Sequence, residues 1–104
     1  MTKLTDGELS DVHAELLEYM FKAMDKLRER DAVYRGLWID GGAESNLFHS
    51  KQKAVRLWRN YIEHGGEMSE DFMDDAVDMM NYLAFAMYCY DHGLLKGTED
   101  DAST

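Results

Sequence analysis

The sequence predicts an all-α protein, a compact bundle of three to four helices completed by oligomerisation. Three observations lead there. The chain of 104 residues has no proline, and most of its glycines fall at Gly36, Gly41-Gly42, Gly65-Gly66 and Gly93, which punctuates it into three helical stretches. Within each stretch apolar residues recur at three- and four-residue steps, the helical period. A chain this short buries only one small core, so covering more apolar surface calls for a second copy. Residues 1–93 are read as one helical domain and "LLKGTEDDAST", 94–104, as a flexible acidic tail.

The first helix is expected to begin at Thr5, because Thr5-Asp6-Gly7-Glu8 has the form of a capping box. Leu9, Val12, Leu16, Met20, Met24 and Leu27 then continue one apolar face to about Arg30. A second helix is expected from Ala43 or Ser45 to His64, with Leu47, Phe48, Ala54, Val55, Trp58 and Ile62 turned inward. Lys51, Lys53, Arg56 and Arg59 stand among them with no acid between. Ser69 is the expected N-cap of the third helix, which carries acids in its first turn, where the helix dipole favours them, and stops at Gly93.

Composition narrows the function classes. With 45% apolar and 31% charged residues the chain reads as globular, and no uncharged run approaches the roughly 20 residues that span a bilayer. The N-terminus lacks the order of a secretory signal, and the one cysteine, Cys89, has no internal disulfide partner. A reducing cytoplasm is expected. A formal charge of −10 repels polyanions and argues against direct nucleic-acid binding unless a local basic patch or a bound cation intervenes.

The third helix holds the candidate chemistry. Glu70, Asp71, Asp74, Asp75 and Asp78 crowd its start, whereas Met79 to Tyr90 carries no charge. On a helical projection Asp71, Asp75 and Asp78 share one stripe, and that stripe continues into Asn81, Phe85 and Cys89, so the carboxylate face is expected to become buried within a turn or two. Acids stacked this way repel one another by a few tenths of a kcal/mol per pair, which a shared cation relieves. Oxygen ligands without histidine or cysteine suit Mg²⁺ or Mn²⁺, with Glu70, Asp71, Asp75 and Asp78 as candidate ligands. A solvated acidic face is the plainer reading.

"DAVYRGLW" (31–38), "KQKAVRLW" (51–58) and "EDFMDDAVDMMNYLAFAM" (70–87), in this order, resemble the nucleotide modification associated domain 1 family, which is common in bacteriophages and is similar to the MazG-like all-α nucleoside triphosphate pyrophosphohydrolases. Tyr34 and Trp38 match its aromatic segment, Lys53, Arg56 and Leu57 its basic helix, and Glu70, Asp78, Asn81 and Tyr82 its late helix. The resemblance covers roughly residues 28 to 90. It implies a Mg²⁺-dependent pyrophosphohydrolase in which Asp75, Asp78 and Lys53 are catalytic and Tyr34, Trp38, Arg56, Asn81 and Tyr82 bind a nucleotide. The chain departs from the pattern where the second helix carries Lys53, Arg56 and Arg59 in place of a second acidic pair, and where Arg35 separates Tyr34 from Gly36. Glu15, Glu18 and Asp25 on the first helix offer themselves as replacements.

Each of these residues also has a plainer role. Lys53 and Arg56 either hold phosphates or neutralise the third helix. The large aromatics are usually core, with Trp38, in an expected loop, the best candidate for stacking a base. The histidines show no ligand spacing, and Cys89 reads as an inert core thiol. The expected function is a small nucleotide-binding protein working as a homo-oligomer in the cytoplasm, that of the host if phage-encoded. The alternative is a non-enzymatic acidic protein that binds a host factor by imitating nucleic-acid phosphate.

Overall fold

The computed structural model describes residues 3–97. Three helices, α1 (Asp6–Tyr34), α2 (Gly42–Glu63) and α3 (Phe72–Asp91), are joined by a single 3-10 turn (Leu37–Gly41) and a short loop, with no strand among the described residues. The expected all-α bundle is therefore the fold. None of these helices is long and apolar enough to cross a membrane.

The capping box starts α1 as read. Thr5 Oγ1 accepts from the Glu8 backbone N–H, and Glu8 Oε1 accepts from the Thr5 N–H, both at 3.2 Å. The helix then runs four residues beyond Arg30, to Tyr34. Arg35 closes it in the left-handed region at φ 54°, a conformation that side-chain-bearing residues adopt at a cost. α3 begins two residues later than expected. Asp71, not Ser69, is its N-cap, because the Ser69 carbonyl closes a turn onto the Phe72 N–H before the helix starts.

α3 is central. It runs antiparallel to α2, which it meets along most of its length, and crosses α1 near Ala23 and Lys26, while α1 and α2 hardly meet. The expected inward face of α2 is the outward one. Leu47, Phe48, Val55, Trp58 and Ile62 are exposed, and Gly42, Ala43, Asn46 and Ser50 are buried, followed by half-buried Lys53 and Leu57. The reason lies in α3, whose facing stripe carries Asp75 and Asp78 and so favours a polar stripe opposite. α1 likewise buries only Ala23, leaving Leu9, Val12, Leu16, Met20 and Met24 exposed.

The segment after Gly93 departs from a free tail as far as it is described. The carbonyls of Leu94 and Leu95 accept from the N–H groups of Ala43 and Glu44 at 2.8 and 2.9 Å, satisfying donors that the first turn of α2 leaves open. Gly42 makes the approach possible. It sits at φ 69°, and a Cβ there would stand 2.6 Å from the Lys96 carbonyl carbon. Residues 98–104 of the expected tail lie outside the described range.

Candidate functional site

The polar heart of the protein is a layer of ion pairs between the three helices. Asp75 and Asp78 lie one turn apart on α3 and are 5% and 7% exposed. α1 brings Lys26 Nζ to 2.9 Å and Arg30 to 3.3 Å from Asp78 Oδ1. α2 brings Lys53 Nζ to 3.3 Å from Asp75 and 3.2 Å from Asp78, and Arg56 Nε to 3.5 Å from Asp75. Four cations thus meet two carboxylates. Asp75 Oδ2 and Asp78 Oδ1 each stand within ion-pair distance of a cation, so neither charge is uncompensated. Burial by itself would push the Asp78 carboxyl up, but hydrogen bonds from Lys26 and Lys53 and the charges of Arg30 and Lys26 outweigh it and hold the group below its ordinary value. For Lys53 burial acts to lower the ammonium's value, and its bonds to Asp78 and Asp75 more than reverse that.

This layer answers why a buried helix opens with carboxylates. Their repulsion is relieved by basic side chains from both neighbouring helices. It also bears on the ion that the resemblance implies. A divalent cation on Asp75 and Asp78 would have to displace the ammonium and guanidinium groups that pair with them. Glu70 and Asp71 do not join it, being exposed ahead of α3, and Glu15, Glu18 and Asp25 are exposed along α1. Among the described residues no group of three or more His, Cys, Asp or Glu side chains is placed to hold a metal. As the side chains stand, Asp75 and Asp78 are taken up by Lys and Arg and present no open ligand set for Mg²⁺ or Mn²⁺.

Beside the ion pairs a cleft of about 500 Å³ opens between the end of α1, the 3-10 turn, α2 and α3. Tyr34, Trp38, Asn81, Tyr82 and Asp78, all singled out from the sequence, line it together. So do Arg30, Asp31, Asn46, His49 and Phe85, which were not. Lys53, Arg56 and Asp75 stand in the ion-pair layer and are not part of the cleft wall. Trp38 is fixed rather than free. Phe85 stacks on its ring at 4.3 Å, Tyr88 meets it edge-on, and its Nε1–H donates to Asp31 Oδ2 at 3.2 Å. Asn46, buried, donates to the carbonyls of Trp38 and Gly42 and so pins the 3-10 turn to α2. The Asn81 amide donates to the Ala23 carbonyl and ties α3 to α1. The aromatic surfaces left to a ligand are Tyr34, exposed, and Tyr82, whose ring lies 5.2 Å from that of His49.

A size of this order, aromatic walls and a few polar groups make a small-molecule site. Arg30 is its one cationic side chain, half exposed, with Lys26 and Lys53 behind it on Asp78. Lys26 and Arg30 were missed because a basic residue on an acidic helix reads as solvated. Their signal was the four-residue step that puts them on the stripe of Ala23 and Leu27. No protein-family model matches the chain, nor does any curated protein or solved structure.

Proposed function

We propose that the protein binds a nucleotide carrying few phosphates, without a metal ion, in the cleft at the end of α1. Its base lies among Tyr34, Tyr82 and His49, and its phosphate meets Arg30. The observation that carries this reading is the joining of an aromatic cleft to an ion-pair layer in which four cations face two carboxylates. Arg30, half exposed at the cleft, is the cation that a small anion would meet on a chain whose net charge is −10. Magnesium-dependent release of pyrophosphate, which the family resemblance implies, needs carboxylates free to take an ion, so the function assigned is binding rather than hydrolysis. Of the carboxylates that the mimic reading needs on display, Asp75 and Asp78 are buried, whereas Glu70, Asp71 and Asp74 are exposed. We also infer that the protein works as a homo-oligomer, since its apolar residues lie mostly outside.

The test is calorimetric titration of nucleosides and their mono- and triphosphates, each with Mg²⁺ and with a chelator. Binding that survives the chelator, and that Arg30→Ala weakens about tenfold for the monophosphate but not for the nucleoside, is the expected outcome. Binding seen only with Mg²⁺, or pyrophosphate release from a triphosphate, overturns the metal-free reading.

A further inference from the structure

The chain exposes 8322 Å² of surface, whereas a compact monomer of 12.0 kDa exposes roughly 6,000 Å². Its radius of gyration is 16.9 Å, against about 13 Å for a packed domain of this length. Within the described helices the exposed surface includes many large apolar side chains, and permanent dimers bury about 2,000–5,000 Å² of such surface in total. Two apolar stripes stand out. One is the N-terminal arm of α1, with Leu9, Val12, Leu16, Met20 and Met24, and the other is the outer face of α2, with Leu47, Phe48, Val55, Trp58 and Ile62.

The stripes match each other better than either matches itself. From Leu9 to Met24 and from Leu47 to Ile62 the chain advances the same number of residues, about 22 Å of helix in each case. Their charges are opposite. The arm carries Asp6, Glu8, Asp11, Glu15 and Glu18 with no Lys or Arg between Asp6 and Lys22. The outer face of α2 carries Lys51 and Arg59, which line a shallow groove with Phe48 and Val55. Arm against arm sets acid on acid, and α2 against α2 sets base on base. Arm against α2 pairs them.

We infer that a second copy of this chain covers these stripes, the α1 arm of each protomer lying on the outer face of α2 of the other in a two-fold, reciprocal dimer. This rests on the homo-oligomer reading above and gives it an interface.

Light scattering on three chains tests it: wild type, Asp11→Lys/Glu15→Lys, and Lys51→Glu/Arg59→Glu. All four positions are exposed, and helix content by circular dichroism checks that each variant folds. Wild type should be a dimer at micromolar concentration, each variant alone should lose at least tenfold in dimer affinity, and mixing the two should restore a dimer, because each new contact again pairs opposite charges. Trp58→Glu, at an exposed position, provides a second variant that should dissociate the dimer. A monomeric wild type defeats the homo-oligomer reading itself and assigns these faces to another protein. A dimeric wild type whose charge-reversed and Trp58→Glu forms remain dimers, or whose two variants do not pair on mixing, leaves that reading standing and overturns this interface.

Discussion

The space between α2 and α3 and the outer surfaces of α1 and α2 have exchanged the characters expected of them. Inside are Asn46, Ser50, Asp75 and Asp78, and outside are Leu16, Leu47, Trp58 and Ile62. An interior of this kind holds together through directed contacts, each dependent on its partner, whereas an apolar core loses stability roughly in proportion to the surface removed. Substitutions in the two regions should therefore behave differently. In the interior, removing one charge leaves several others unpaired. On the outside, it should leave the protomer folded and alter only what it associates with.

Asp78→Ala is expected to have the largest effect. It strips the acid from Lys26, Arg30 and Lys53 at once and should cost about 3–5 kcal/mol, seen as a lower midpoint in urea unfolding. Gly42→Ala comes next. Positive φ and the close approach of the Lys96 backbone both oppose a Cβ, so a loss of about 1–3 kcal/mol is expected, together with faster proteolysis of the segment after Gly93. If Gly42→Ala melts like wild type, the docking of Leu94 and Leu95 on α2 is not part of the stable fold.

The ion-pair layer also sets a pH window. Asp78 titrates below its ordinary 3.8 when folded, so its contribution is present above 3.8 and is lost as pH falls through the lowered value. Lys53 titrates above 10.5, so its contribution is present below 10.5 and is lost as pH rises past the raised value. The difference in melting temperature between wild type and Asp78→Ala should hold between these limits and shrink below pH 4. A constant difference down to pH 2 would mean that Asp78 acts through packing and not charge. Arg35→Gly should have the smallest effect, a gain of up to about 1 kcal/mol in thermal unfolding, because glycine adopts the left-handed cap of α1 without the strain of a Cβ.

What the sequence disclosed follows the same division. Helix number and the start of α1 were legible because Thr5 and Glu8 cap it through contacts three residues apart. The delayed start of α3 was not, since Ser69 has the right chemistry for a cap and only the turn made by its carbonyl excludes it. The inward face of α2 was read in reverse for a deeper reason. Periodicity finds an apolar stripe but does not say whether the surface covering it belongs to the same chain. Tyr34, Trp38, Asn81 and Tyr82 meet around one cleft because the end of α1 and the 3-10 turn come together with α2 and α3, an arrangement that no local pattern supplies. The stripe from Asp75 through Cys89 was visibly an inward face, and Cys89 is fully buried, its thiol pushed up by burial. That Lys53 and Arg56 neutralise the third helix was one of the two roles read for them, whereas Lys26 and Arg30 share a stripe with Ala23 and Leu27 but reach Asp78 only through the crossing of α1 and α3.

Lys26, Arg30, Lys53 and Arg56 pair with Asp75 and Asp78, the carboxylates on which the resemblance would place a metal. The most direct test is the melting temperature of wild type and of Asp78→Asn, each measured with a chelator and across a Mg²⁺ titration. The ion-pair account predicts that Asp78→Asn melts well below wild type, by about 10 °C or more for a loss near 3 kcal/mol, and that Mg²⁺ produces no saturable rise in either protein. A saturable rise in wild type that Asp78→Asn abolishes, with the variant otherwise as stable as wild type, would contradict it.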